Sequence, residues 1–428
     1  MRNSGSVIQE IQKRPFIRPL FFWITGILLQ ICFPLQHLSF AIPLTVVGII
    51  VLSHLLYGKK GEAIVYSNRW VWGLMLAGIV IFLAIQMTAL TELRLANPIA
   101  QEPGFLYHKA QEIQLYMVNK LDLLQLPDAD KSVLATLTVD YRKLMTSEVR
   151  NQFSVTGVSH ILSVSGFHVA IVCAFVNVSL SFLREQKALP RWTKYIVTML
   201  CVWVFTYISG LSAAATRSAI MISIYLTGRV LMRNPDRYNT FAASAFCMLV
   251  YNPFYLFDVG FQLSYTAVFF LLYLQPRFSK LIEIRNPIIA NPWNVLTVTL
   301  SAQIGVCFLC FFYFGHSSAV FLFTNLLLSL LATVLIPATL VCMLAPEWFP
   351  GIGLLYSVVE IMTRCMMLVV ERFAAIPGAT LSLRFDFFTL IFSYLSLGFL
   401  LLYFRLHRYW VLFAALASLL IILCWHLI

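Results

Sequence analysis

The sequence predicts an all-α, polytopic integral membrane protein with about thirteen helical spans, some of them broken or half-spanning. Hydrophobic residues make up 60% of the 428 residues, and charged residues only 11%. Apolar runs close to the roughly 20 residues that a helix needs to cross a bilayer recur along the whole chain. This composition excludes a soluble globular protein and makes membrane lipid the surrounding solvent.

The predicted spans begin after a basic N-terminal stretch, residues 1–19. A charged start followed by a short apolar core resembles a signal peptide, but no small-residue cleavage site follows, so we expect the core to remain as a span. This first span, RPLFFWITGILLQICFP, is followed by 41–57, 70–92, 157–183, 192–208, 210–232, 238–251, 255–274, 293–314, 318–344, 352–374, 385–404 and 408–427. The run 238–251 is too short to cross comfortably, and Asn252-Pro253 breaks it.

Three regions follow from this pattern. Residues 1–92 are predicted to form a cytoplasmic tail with three spans, and 157–428 a second membrane domain with about ten. Residues 93–156 are balanced in charge and are predicted to be an extracytoplasmic helical segment lying against the membrane face. Within it we expect an amphipathic helix over Phe105–Leu126, a second helix capped by Asp128 or Asp130, a third ending near Phe153, and no strand.

The net charge of +12 has a topological explanation. With the N-terminus inside, basic residues concentrate in the cytoplasmic segments, while the predicted outer turns 34–40, 209–210, 252–254 and 315–317 contain none. Basic loops such as the one with Arg229, Arg233 and Arg237 would also suit a polyanionic ligand, so they do not decide the function.

The span 157–183 begins with polar side chains that are costly in hydrocarbon. Unpaired polar groups there cost several kcal/mol each, so they must face protein or a wet cavity. Glycine weakens a helix as well, by roughly 1 kcal/mol relative to alanine. We interpret this stretch as a broken or half-spanning helix that lines a path and contains His160, Ser163, Ser165, Gly166 and His168.

A second polar set lies in the spans that follow. Arg217 is near the middle of 210–232 and needs a partner or water, and Asp258 is its candidate counter-ion. Gln262 shares a helix face with Asp258, and Glu360 and Arg364 are a self-paired couple of the same spacing. A purely structural ion pair between Arg217 and Asp258 remains an alternative. We predict that one interior cavity collects His160, Ser165, His168, Arg217, Asp258 and Gln262.

Neither a metal nor another cofactor is expected. His160 and His168 are about 80° apart around a helix and have no third ligand. Cys307 and Cys310 have CxxC spacing, but nothing nearby completes a metal site, so we interpret them as packed thiols. No GxxxxGK[ST] nucleotide-binding loop and no HxHxDH metal cluster occur in the sequence.

Three of these stretches together resemble the ComEC family of competence proteins. GVSHILSVSGFHVAIV is similar to the family pattern GxxHLLAxSGxHVxLV, and SGLSAAATRSAIM to its small-residue span with an arginine. NPFYLFDVGFQLSY is similar to NPxxLxDxGFQLSF, and the likeness runs continuously over 127–274. RPLFFWITGILL near the start also resembles the family. Full-length members also contain an OB-type domain and a metallo-β-lactamase-like domain, so the resemblance is to a short form that is expected to lack the metallo-β-lactamase-like domain and most of the OB-type domain.

The resemblance implies a channel in the bacterial inner membrane that passes single-stranded DNA into the cytoplasm during natural transformation. It also implies separate partners, namely a DNA receptor, a nuclease and a cytoplasmic motor or helicase, and no enzymatic activity of this chain. Two alternatives stay open. One is a small-molecule or ion transporter with Arg217 and Asp258 at a midplane site. The other is an intramembrane serine protease using Ser165-Gly166, with His54 or His316 as base.

Overall fold

Helices account for nearly all regular structure in the computed structural model, which describes residues 14–34, 48, 69–96, 105–183, 188–232, 235–284, 286–346, 348 and 350–427. In chain order the helices are α1 (Ile17–Cys32), α2 (Arg69–Ala96), α3 (Phe105–Asn119), α4 (Asp128–Val139), α5 (Ser147–Val155), α6 (Gly166–Ser179), α7 (Ala188–Ile208), α8 (Ala213–Val230), α9 (Arg237–Tyr251), α10 (Val259–Phe278), α11 (Pro287–Phe314), α12 (Phe321–Leu344), α13 (Ile352–Ala374), α14 (Phe387–Leu406) and α15 (Tyr409–Leu427). Two 3-10 helices, Lys120–Leu123 and Pro253–Phe257, and two strands, β1 (His316–Ser318) and β2 (Thr380–Ser382), complete the described structure.

The predicted class, an all-α polytopic membrane protein, is confirmed. Five helices among the described residues are long and apolar enough to cross a bilayer: Gly73–Ala96, Ile288–Phe314, Phe321–Leu344, Ile352–Ala374 and Phe387–Leu406. Three shorter apolar helices accompany them, Ile17–Cys32, Gly166–Ser179 and Tyr409–Trp425. The predicted span 41–57 lies outside the described residues, apart from residue 48.

The chain divides into two units, of which the first comprises residues 1–108, 182–199 and 216–262. Its centre is the packing of α1 against α2 and α9. At Gly26 the helices α1 and α2 approach so closely that an added Cβ would lie 2.5 Å from the Ile81 carbonyl oxygen. Trp23 Nε1 donates to the Leu249 carbonyl at 3.1 Å, which attaches α1 to α9 through a buried hydrogen bond.

The second unit comprises residues 109–181, 200–215 and 263–428. Its hydrophobic core joins the segment around α3, α4 and α5 to α12 and α13, through side chains such as Leu134, Phe153, Leu335 and Met366. Helix α4 is buried at every position from Ser132 to Val139. The segment therefore shares one core with two long apolar helices, which fixes its position within this unit.

Two local expectations need correction. Pro127 occupies the N-cap of α4. Asp128 and Asp130 instead lie in its first turn, where the helix dipole stabilises acidic side chains. The helix predicted to reach Leu126 ends at Asn119 and tightens into a 3-10 turn. No strand occurs among the described residues of 93–156, as expected, and β1 and β2 form an antiparallel pair farther along the chain, with His316 opposite Ser382.

Glu360 and Arg364 do not simply pair with each other. Glu360 Oε1 accepts from the Gln125 backbone N–H at 2.7 Å, and Arg364 Nη2 donates to the Gln125 carbonyl at 3.0 Å. The two side chains, one turn apart on α13, therefore hold both backbone groups of one residue in the turn before α4. Two side chains four residues apart on a helix lie on the same face, so both can bind a third group instead of each other.

Candidate functional site

Helix α6 begins at Gly166, so the predicted span 157–183 is helical only in its second part. Its 14 residues extend about 21 Å, short of the roughly 30 Å of a hydrocarbon core. Ser165 is the N-cap and His168 the N3 residue of a capping box. The Ser165 backbone N–H donates to His168 Nδ1 at 3.2 Å, and the Ser165 hydroxyl lies 3.0 Å from the same nitrogen.

This geometry assigns the tautomer of His168. Because Nδ1 accepts a backbone N–H, the neutral ring carries its proton on Nε2. The ring is fully buried, and Nε2 has no regular hydrogen bond, although the Ile161 carbonyl is close enough to interact with it. His168 therefore performs the structural task that glutamate or glutamine performs in an ordinary capping box.

The loop before α6 has a glycine for a clear steric reason. Gly157 has φ +76°, and an added Cβ would lie 2.6 Å from Ser318 Cβ and 2.8 Å from Phe321 Cβ. Only a residue without a side chain fits this conformation at this distance. The first residue of the GVSHILSVSGFH stretch thus packs the loop directly against the end of β1.

Polar side chains on α11 and α12 surround this loop, and the sequence reasoning missed them. Asn325 is a hydrogen-bond partner of His160 and donates through Nδ2 to Thr299 Oγ1 at 2.5 Å. Gln303 Nε2 donates to Ser317 Oγ at 3.0 Å. An amide within the apolar run FLFTNLLLSLL was the available signal, since such groups seek partners inside the protein. His160 is exposed, and Ser163 is half-buried.

The second polar set is centred on Arg217, whose side chain is buried. Its Nη1 lies 3.8 Å from Asp258 Oδ1, and its Nη2 donates to the Gly260 carbonyl at 3.1 Å. The Asp258 side chain is 48% exposed, whereas that of Arg217 is 4% exposed. The expected ion pair is present, and it joins a buried cation to a carboxylate that solvent reaches.

The NPFYLFDVGFQLSY stretch contains two successive helix caps. Asn252 Oδ1 accepts from Phe254 N–H at 3.0 Å and starts the 3-10 helix Pro253–Phe257. Asp258 Oδ1 then accepts from Phe261 N–H at 2.7 Å and starts α10. Gln262 Nε2 donates back to the Leu256 carbonyl at 3.0 Å. Each polar residue here satisfies a backbone group that a break between helices would otherwise leave unpaired.

The structure therefore brings the predicted residues together as two groups. His160, Ser163, Ser165, Gly166 and His168 lie in the second unit, around the start of α6. Arg217, Asp258 and Gln262 lie in the first unit, around the start of α10. In both groups an interrupted helix has its new N-terminus held by a polar side chain. Convergence of the two groups on one cavity stays a prediction.

The geometry also bears on nucleophilic chemistry. Ser165 contacts His168, within its own helix cap, rather than His316. His316 Nε2 instead lies 3.0 Å from Ser154 Oγ, and its Nδ1 lies 2.9 Å from the Phe314 carbonyl. His54 lies outside the described residues. In the part of the chain that the structure describes, no three His, Cys, Asp or Glu side chains cluster as a metal site.

Comparison with known proteins gives a consistent result. The model of the Competence protein family matches residues 137–407, which is more than half of the chain and includes both polar groups. ComE operon protein 3 of Bacillus subtilis (strain 168) is 25% identical over 230 residues. That alignment covers 53% of this chain and only 28% of the relative, so this chain corresponds to a minor part of that protein's length. No solved structure shows a significant match.

Proposed function

This chain belongs to the Competence protein family, and on that premise we propose that it takes part in DNA uptake as a membrane channel that passes single-stranded DNA inward. The observation that carries the proposal is the family match across 137–407, which includes both interrupted helices with their polar caps. A channel in the bacterial inner membrane fits a chain with at least five candidate spanning helices among its described residues.

Interrupted helices supply what a polar polymer needs inside a membrane. Non-helical backbone at membrane depth is tolerated where it is buried in protein or lines a water-filled cavity. The loop before α6 and the loop before α10 are two such breaks, each in a mainly apolar stretch. They offer hydroxyl, amide and imidazole groups together with one buried guanidinium, Arg217, which suits a phosphate backbone.

In this proposal the chain forms the path that the single strand takes through the membrane, and separate proteins carry out the other steps of uptake. A DNA receptor outside would present the strand, a nuclease would remove its complement, and a cytoplasmic motor or helicase would draw it in. Single-stranded DNA binding of this kind relies on positive groups and on stacking surfaces that tolerate any base sequence. We therefore expect uptake without sequence preference by this component.

Gene deletion in the host is the direct test. We expect the deletion to abolish transformation by added DNA while growth and conjugation stay normal, and the wild-type gene to restore it. His168→Ala and Arg217→Ala should fail to restore transformation although both proteins reach the membrane. His108→Ala is the matched control, because His108 is an exposed histidine on α3 outside both polar groups.

His168→Gln separates two roles of the imidazole. Glutamine can accept the Ser165 backbone N–H at N3, so it restores the capping box without the ring. Recovery of transformation by His168→Gln assigns His168 a structural role at the start of the path. Normal transformation in the deletion strain contradicts the channel proposal, and solute uptake by the purified protein in vesicles would then favour the transporter alternative.

A further inference from the structure

The C-terminal end of α4 contains a buried carboxylate that neither polar group includes. Asp140 follows the last helical residue in the left-handed conformation, with φ 58°. Its backbone N–H closes the helix on the Thr136 carbonyl at 3.1 Å. The side chain is only 7% exposed, so its oxygens require partners inside the protein.

Those partners come from two distant stretches of the chain. The Val164 backbone N–H and the Ser212 hydroxyl are both close enough to interact with the Asp140 carboxylate and to favour its ionised form. Arg142 completes the set, with Nε 2.9 Å from Oδ1 and Nη2 3.4 Å from Oδ2. Burial raises the pKa of Asp140, and these donors, Arg142 foremost, oppose that rise by favouring the ionised form.

Both distant contacts fall at the start of a helix. Val164 immediately precedes Ser165, the N-cap of α6. Ser212 immediately precedes α8, and its Oγ lies 3.4 Å from the Ala215 backbone N–H, as at an N-cap. A helix N-terminus carries a partial positive charge that favours an anion, so one carboxylate stabilises two helix starts.

A second contact joins the same places independently. Gln114, a buried residue of α3, donates from Nε2 to the Val139 carbonyl at 2.5 Å. Gly210, with φ +70°, lies against this amide, since an added Cβ would be 3.3 Å from Gln114 Nε2. The end of α4 is therefore attached to the 210–212 turn by a carboxylate on one side and an amide on the other.

We propose that Asp140 is a positioning residue that fixes the N-terminal ends of α6 and α8 relative to each other. This inference rests on the proposed function, because these helices carry the SGFH cap and, five residues beyond Ser212, Arg217. Asp140 itself does not contact the transported strand. Its oxygens hold the starts of two helices whose first two turns bear the residues of the path.

Two substitutions at Asp140 separate the side chain from the backbone. Asp140→Gly keeps the left-handed conformation at no steric cost but removes the carboxylate. Asp140→Asn tolerates the same conformation and keeps an oxygen that accepts from Val164 and Ser212. Transformation should fall about tenfold or more with glycine, since a hydrogen bond to a charged group is worth roughly that factor. Asparagine should recover most of it.

Hydrogen exchange of the purified protein in detergent provides a readout that does not depend on transport. With Asp140→Gly, exchange should rise in the peptides containing Val164 and Ala215 together, and stay unchanged in α1 and α9. If the glycine variant does not accumulate, Ser212→Ala is tested in its place. If the carboxylate couples the two helix starts, Ser212→Ala should raise hydrogen exchange in the peptide containing Val164 as well as in the peptide containing Ala215.

The inference is overturned if Asp140→Gly transforms like the wild type, or if glycine and asparagine lose transformation equally. Faster exchange confined to Ala215 in Ser212→Ala also contradicts it. Failure of the wild-type gene to restore DNA uptake is a different outcome: it rejects the proposed function, while the exchange measurement still decides whether Asp140 couples the two helix starts.

Discussion

The ion pair between Arg217 and Asp258 gives a quantitative prediction about stability. Two unit charges 3.8 Å apart attract each other by about 4 kcal/mol at an effective dielectric constant of about 20, and by about 1 kcal/mol in bulk water. Because the Asp258 side chain is 48% exposed and that of Arg217 only 4%, the pair lies between these limits. We expect a coupling free energy of about 2 kcal/mol.

Asp258→Asn isolates the charge from the helix cap. Asparagine caps a helix as well as aspartate does, so it keeps the hydrogen bond from Phe261 N–H and removes only the negative charge. The variant should be less stable by about 2 kcal/mol, because Arg217 is left buried without its counter-ion. Asp258→Ala loses the cap as well, which should cost about 1 kcal/mol more.

A double-mutant cycle in mixed micelles measures this coupling. Arg217→Ala, Asp258→Asn and the double variant are unfolded by raising the proportion of SDS, and their free energies of unfolding are compared. The double variant should be more stable than Asp258→Asn alone, since it no longer contains a stranded cation. If the two single effects simply add, the charges do not interact and the electrostatic account is wrong.

Three further predictions concern the same fold. Gly157→Ala should destabilise the protein by more than about 1 kcal/mol in the same micelle assay, because it combines a positive φ with a clash on Ser318, whereas Ser159→Ala nearby should be neutral. Glu360→Ala should cost about 1 kcal/mol by releasing the Gln125 N–H, and Glu360→Gln, which keeps the acceptor, should cost less. Burial, with Glu371 adding to it, raises the pKa of Asp130, so the folded state binds its proton more tightly and stability falls as pH rises through that raised pKa. Asp130→Asn should therefore stabilise the protein at neutral pH, with a gain that shrinks on acidification; a gain independent of pH would contradict this.

Helix positions could be predicted from the sequence where one local feature, such as a long apolar run or a proline, determines the structure. The span predicted at 352–374 coincides with α13, because an apolar run of that length has one stable form in a membrane. The break at Asn252-Pro253 was equally readable, since proline acts locally. Asp258 was predicted only as a counter-ion, and its role as the cap of α10 was missed. The pairing of Arg217 with Asp258 was predicted from the expense of a buried cation and is present.

Other features depend on contacts that no local pattern encodes. Strands β1 and β2 have three residues each and pair across more than sixty residues of chain, so neither shows an alternating pattern. The attachment of Glu360 to Gln125 and of Asn325 to Thr299 depends on which helix faces which. In the sequence Asp140 is one acid in a segment that is balanced in charge, and nothing local marks it, because its importance lies in where α4 ends.

The shortness of α6 has a consequence for how the protein enters the membrane during synthesis. Fourteen residues are too few for the insertion machinery to insert as an independent span. The two histidines at or before the first turn make the free energy of insertion still less favourable. Its main packing partner, α12, is synthesised more than one hundred and forty residues later. We therefore expect α6 to settle late, once α12 provides a surface for it, so that truncation before Phe321 should leave residues 157–183 accessible to protease.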